Sequence, residues 1–153
     1  MKAEKLVIDF EKSIGPWLGR TMKIVDFHMN EAFENAGLDL TKEQMVVLKK
    51  LYENDGLNQN ELAFLTYRDK SSLARLLTKM ELKRYIKRKQ SREDKRVNQV
   101  FLTTEGKKMY SKTRPVIKVL IDKMEHNIGG EQKKQMIELL QKVQKNFEPN
   151  KAF

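Results

Sequence analysis

Apolar residues recur at helical spacing through most of the chain, and only one short stretch alternates. Trp17, Leu18, Met22, Val25, Met29, Ala32, Phe33 and Ala36 form one stripe at the helical period. They predict a helix ending at Gly37, a residue suited to the left-handed position just past a helix end. So wide a stripe must pack on something large, and a partner subunit is one candidate. Ahead of it, Leu6, Val7 and Phe10 give segment 4–13 a weaker helical stripe, which Gly15-Pro16 breaks. Pro16 suits the first turn of the next helix.

Three short helices follow. Thr41 and Gln44 have capping-box spacing ahead of Met45, Leu48, Leu51 and Tyr52, the expected buried face. Asn54-Asp55-Gly56 reads as a turn. Asn58 and Glu61 repeat the capping pattern before Leu62, Ala63 and Leu65. A third helix is expected from near Asp69 to about Arg84, with Leu73, Leu76, Leu77 and Met80 inward. The period then changes. Segment 85–89 is rich in β-formers, 97–102 alternates, and 90–96 holds no apolar residue, so 85–102 predicts a β-hairpin with a charged tip. Thr103 or Thr104 caps a long helix to about 128, carrying Met109, Val116, Leu120 and Met124, with a kink expected at Pro115. After Gly129-Gly130, a last helix over 131–147 carries Met136, Leu139, Leu140, Val143 and Phe147.

Composition narrows this picture. A chain of 153 residues is one ordinary domain, or a small domain with extra oligomerising helices. Seven Gly and three Pro argue against a loop-rich or all-β protein. With no cysteine, disulfides, thiolate metal sites and thiol-oxidation sensing are excluded. No run approaches the ~20 apolar residues of a membrane helix. Leu6-Val7-Ile8, behind Met1-Lys2-Ala3-Glu4-Lys5, is too short for a signal-peptide core. A soluble, cytoplasmic protein with no membrane partner is the expectation.

Charge sharpens the function. The net charge is +10, but residues 1–67 are net −3, residues 68–96 net +8, and residues 97–153 net +5. The excess thus concentrates on the third short helix and the hairpin, which points to a polyanion. Two short helices joined by a tight link, the second with a basic outer face, match a helix-turn-helix. With the leucine stripe inward, Ser71, Arg75, Thr78 and Leu82 face outward and Ser72 and Lys79 flank them. A long planar donor among short hydroxyls suits major-groove readout, while Lys70 and Lys79 suit phosphates. Arg92, Lys95 and Arg96 at the hairpin tip are placed for an adjacent minor groove.

From about Leu38 to Gly106 the chain resembles a MarR-type winged helix-turn-helix regulator. The matching stretches are Gly37-Leu38-Asp39-Leu40-Thr41, Asn60-Glu61-Leu62-Ala63 and Ser72-Leu73-Ala74-Arg75-Leu76. The most specific is Asp94-Lys95-Arg96 followed by Leu102-Thr103-Thr104-Glu105-Gly106. The resemblance implies a mainly α fold with a small two- or three-stranded β-wing. Dimerisation helices over 1–37 and 104–153 would flank a DNA-binding domain over 38–103. It further implies a homodimer on a pseudo-palindromic DNA duplex, acting as a ligand-released repressor. Arg75 would lie on the recognition helix, Arg96 would be the wing arginine, and Asp94 would orient the wing through a charge-assisted hydrogen bond to an arginine. The glycine that commonly follows the recognition helix is replaced by Arg84.

Each assignment has a plainer rival. Segment 68–96 could be a solvated face, Arg96 could merely pair with Asp94, and Ser71 and Ser72 could only cap their helix. A basic winged-helix architectural module with no effector is the alternative function. Trp17, Phe27, His28 and Tyr52 are either core or dimer interface, or they line a pocket for a small aromatic or lipophilic effector. His28 and His126 lie on separate predicted helices, which disfavours a metal site. No catalytic constellation or phosphate loop is visible, so neither enzyme activity nor a cofactor is expected.

Overall fold

Capping chemistry sets most element boundaries in the computed structural model, which describes residues 6–150. The leader reading of Met1 to Lys5 and the start of the 4–13 stripe lie outside the described residues. In place of a helix there, residues 6–9 have no regular structure, and a single 3₁₀ turn, Phe10–Lys12, follows. A few apolar residues do not offset the cost of nucleating an isolated helix. Helix α1, Ile14–Asn35, takes Gly15 and Pro16 into its first turn. It ends as expected at Gly37, whose φ is +70°. Gly37 N–H donates to Glu34 O and Leu38 N–H to Phe33 O, both at 2.9 Å, which closes the helix with a Schellman pair.

Both capping boxes form. At α2, Lys42–Glu53, Gln44 N–H donates to Thr41 Oγ1 (3.3 Å) and Thr41 N–H to Gln44 Oε1 (3.1 Å). At α3, Gln59–Thr66, the Asn58–Glu61 pair does the same at 2.9 and 2.8 Å. Helix α4 runs Lys70–Leu82 behind the N-cap Asp69. It stops short of Arg84 because Arg84 itself is left-handed, with φ +63°. Arg84 N–H returns to Glu81 O (2.9 Å) and Tyr85 N–H to Met80 O (3.0 Å). The arginine thus occupies the conformation a glycine adopts without strain.

Strands β1, Ile86–Gln90, and β2, Asn98–Leu102, pair antiparallel from Ile86 with Leu102 to Gln90 with Asn98. The far edge of β2 is held by the turn ahead of α3. Val100 N–H donates to Leu57 O (2.9 Å), Gly56 N–H to Val100 O (3.0 Å), and Leu102 N–H to Asp55 Oδ1 (2.9 Å). Helix α5, Thr104–Met124, starts at Thr103, whose Oγ1 accepts from Gly106 N–H (3.0 Å) and whose hydroxyl donates to Arg84 O. A Cβ on Gly106 would lie 2.0 Å from Tyr85 O, so the Leu-Thr-x-x-Gly motif is a packing requirement of this junction. Helix α5 continues through Pro115, and α6 spans Gly130–Phe147.

The described residues divide into two compact units, one up to Ile117 and the other from Lys118 onward. In the first, Leu48, Leu51, Leu62, Leu73, Leu77, Met80, Ile86 and Val100 make one core. The inward stripe read for α4 is buried in full. The face read for α2 is buried except at Tyr52, which is exposed and packs on Tyr110 with ring centroids 4.8 Å apart. Of the α1 stripe only Phe33 is buried, while Trp17, Leu18 and Met22 are exposed. In the second unit Met136, Ile137, Leu139 and Phe147 are exposed. No described helix is long and apolar enough to cross a membrane.

Candidate nucleic-acid interface

The turn between α3 and α4 places the recognition surface. Tyr67 takes the left-handed conformation (φ +53°), and Arg68 N–H closes on Ala63 O at 3.1 Å. Asp69 Oδ1 then accepts Ser72 N–H at 2.8 Å and starts α4. Burial of Leu73, Leu76, Leu77 and Met80 turns Ser71, Arg75 and Lys79 to the exposed side. Ser72 is half-buried, and its Oγ accepts from Arg68 Nη2 at 2.8 Å. Leu82, expected to face outward, is 80% exposed.

Residues 91–97 form the wing tip. Ser91 N–H donates to Val97 O (2.8 Å), and Val97 N–H to Asp94 O (3.0 Å). Asp94 Oδ1 accepts Arg96 N–H (3.0 Å) and Arg96 Nε (3.2 Å). The backbone N–H bond, then the guanidinium, holds the Asp94 carboxyl below its ordinary range. The pairing expected between these two residues therefore forms, yet the Arg96 side chain remains 91% exposed. Pairing and presentation to solvent coexist.

The expected contact residues do not form one uniform patch. Arg96 and Lys70 line a single small cavity with Gln59, Asn60, Val97 and Asn98, where the wing meets the starts of α3 and α4. Arg92 lines a different cavity with Lys89, Ser91 and Phe101. Lys95 is exposed at the tip. The four aromatic and polar residues read as a possible effector pocket have separate neighbours. Trp17 Nε1 donates to Glu11 O (2.8 Å) with Arg20 over its ring, Phe27 packs edge-on to His28, and Tyr52 packs on Tyr110. Among the described residues no group of three or more His, Asp or Glu is placed to hold a metal ion.

Two features escaped the pattern reading. Arg88 in β1 reaches back to α4, donating to Thr78 Oγ1 and Glu81. Lys83, just past α4, donates to Asp39 O (3.2 Å), Asp39 Oδ1 (3.0 Å) and Gln44 Oε1 (3.1 Å), tying the helix end to the α1–α2 loop. Neither pairing follows a helical or strand period, so no spacing rule in the sequence signals it.

A buried three-helix core, an exposed cationic face on its third helix and an arginine-tipped hairpin define a winged helix-turn-helix, the class used by transcriptional regulators. The model of the MarR family matches residues 40–97. The HTH-type transcriptional regulator YybA of Bacillus subtilis (strain 168) is 30% identical over 131 residues, 86% of this chain and 86% of that protein. The transcriptional regulator HosA of Escherichia coli O111:H- is 29% identical over 105 residues, 69% of this chain and 78% of HosA. Among solved structures, a MarR protein from Peptoclostridium difficile DA00132 superposes with a TM-score of 0.83 at 25% identity, covering 97% of this chain and 96% of its own. The S. aureus MepR–DNA complex superposes with a TM-score of 0.81 at 24% identity, covering 88% and 98%. The chain belongs to the MarR family of transcriptional regulators.

Proposed function

We propose that the chain is a transcriptional repressor that binds a pseudo-palindromic DNA operator as a homodimer. The observation that carries this reading is the Arg96 side chain, fixed by Asp94 and presented at the wing tip, where it lines one cavity with Lys70 at the start of α4, the helix that exposes Ser71, Arg75 and Lys79. Arg75 and the hydroxyls of Ser71 and Ser72 enter the major groove, Arg92, Lys95 and above all Arg96 reach the adjacent minor groove, and Lys70 and Lys79 hold phosphates. Phosphate contacts make the affinity depend steeply on salt.

Support for the dimer is the exposed apolar surface that each unit carries. Ile14, Trp17, Leu18, Met22 and Phe27 are exposed on α1, as are Met136, Ile137 and Leu139 on α6. Contiguous exposed apolar residues on a soluble chain mark an interaction surface. Two-fold symmetry then sets the half-sites about one helical turn apart, ~34–36 Å.

The proposal extends to release by a small aromatic or lipophilic effector. Its support is family membership together with the exposed rings of Trp17, Phe27 and Tyr52. An effector acts only through unequal affinity for two states of the protein. Titrating aromatic carboxylates and phenols while following fluorescence of Trp17, the only tryptophan, tests this part. Saturable quenching with loss of DNA binding is expected, and an unchanged signal across the series contradicts it.

The DNA reading is tested by substitution. Arg96→Ala is expected to weaken binding to all duplexes, whereas Arg75→Ala also relaxes sequence preference. Unchanged binding by both variants would falsify the groove assignment.

A further inference from the structure

The wing is joined to α4 at two places. The first is the Arg84–Tyr85 turn, fixed by Tyr85 N–H to Met80 O and by the Thr103 hydroxyl on Arg84 O. The second is Arg88, in the middle of β1 opposite Val100. Its backbone N–H donates to Glu81 Oε2 (3.1 Å), its Nε to the same oxygen (3.4 Å), and its Nη2 to Glu81 Oε1 (3.2 Å) and Thr78 Oγ1 (3.2 Å). The Arg88 side chain is 23% exposed, unlike Arg96 at the tip.

We propose that Arg88 is a positioning residue that sets the pitch of the wing against the recognition helix and withdraws Thr78 and Glu81 from DNA readout. The inference rests on the DNA-binding function proposed above. Three arguments carry it. The β2 side of the hairpin is held as far as Val100 by Gly56 and Leu57, and Arg88, opposite Val100, holds the β1 side to α4. From Arg88 to Arg92 the hairpin extends ~13 Å at ~3.3 Å per residue, so a twist of about 10° about the β2 attachment moves the tip by about 2 Å. That exceeds the tolerance of a hydrogen bond to a base or phosphate. Arg88 blocks the twist by grasping the last turns of α4 on the β1 side.

The second argument concerns Thr78. Its hydroxyl donates to Ala74 O at 2.9 Å and accepts from Arg88, so its proton is used within the helix and one of its two lone pairs is taken, which leaves it no donor for a base edge. The third concerns charge. Glu81 neutralises Arg88 through two carboxylate oxygens, so Arg88 is a poor phosphate ligand even though it lies in the most basic segment of the chain. The fork geometry is specific to arginine, because a lysine ammonium cannot span both Glu81 oxygens and Thr78 Oγ1 at once.

A phosphate-binding role and a positioning role predict opposite signs for Glu81→Gln. The probe is a fluorescent duplex that the wild-type chain selects from a random-sequence pool. If Arg88 positions the wing, E81Q, R88K and R88A each weaken binding, roughly tenfold or ~1.4 kcal/mol, with the slope of log K on log salt unchanged. Amide exchange in β1 and β2 of the free variants quickens, while the melting temperature falls by no more than the few degrees that one part-exposed ion pair contributes. If Arg88 is instead a phosphate ligand, E81Q tightens binding by freeing a cation, and R88A lowers the salt slope by about one unit. That result, or unchanged wing exchange in all three variants, overturns the inference alone. Selection of no duplex by the wild-type chain overturns the DNA-binding function and this inference with it.

Discussion

Gly106→Ala tests the junction that holds the wing, the recognition helix and α5 together. The new Cβ would sit 2.0 Å from Tyr85 O, 3.0 Å from Tyr85 C and 3.2 Å from Leu102 Cδ2. The first two are backbone atoms in the turn behind α4, and Tyr85 O also accepts Thr103 N–H at 3.1 Å. Restoring an ordinary carbon–oxygen contact needs a shift of more than ~1 Å between α5 and that turn. Overpacking of this kind costs about 1–3 kcal/mol, here toward the upper end because no side chain can swing aside. Weakening the Thr103 hydrogen bond adds ~1 kcal/mol, and better helix propensity returns at most ~1 kcal/mol. The expected net loss is about 3 kcal/mol, or roughly 6–12 °C in melting temperature. Urea unfolding followed by far-ultraviolet circular dichroism measures it. A variant within about 0.5 kcal/mol of the parent would refute the reasoning, because the approach would then be soft.

Further predictions concern the turns and the wing. Arg84→Gly removes a side chain from a left-handed residue (φ +63°); relief of ~1–2 kcal/mol less Gly's extra chain entropy of ~0.5–1 kcal/mol should raise stability slightly. A lower urea midpoint would contradict it. Thr103→Val removes the hydroxyl that accepts Gly106 N–H and donates to Arg84 O, and should cost ~1–2 kcal/mol in the same assay; no loss would show that the cap is dispensable. Glu81 is held below its ordinary value of 4.5, first by its side-chain hydrogen bond from Arg88. A depressed folded value means its stabilisation is complete above pH 4.5 and is lost as pH falls through that lower value. The Arg88 amide resonance should therefore titrate below 4.5, and titration at or above 4.5 contradicts the clamp.

The helices and the hairpin were legible because local rules govern them. The Thr41–Gln44 and Asn58–Glu61 caps, the Gly37 stop and the Leu73 to Met80 stripe all act within one or two turns. The Asp94–Arg96 pair was legible for the same reason, being two residues apart. What escaped depends on tertiary approach. Arg88 meets Glu81 only because the left-handed Arg84 folds β1 back over α4. Lys83 meets Asp39 and Gln44 across the α1–α2 loop. Tyr52 has the helical phase of a core residue yet sits at its edge against Tyr110, where period alone cannot distinguish burial from a rim position. Residues 6–13 show the converse: an apolar stripe without a packing surface yields only a 3₁₀ turn.

The central claim is sequence-specific recognition of duplex DNA by a two-fold symmetric protein. Selecting genomic fragments on the purified chain and sequencing what is retained addresses it most directly. An inverted repeat with half-sites about 10–10.5 base pairs apart is expected, retained by the parent chain and weakened by R96A. Retention of all fragments in proportion to length, with no shared motif and no effect of R75A on preference, would contradict it and indicate a sequence-indifferent architectural binder.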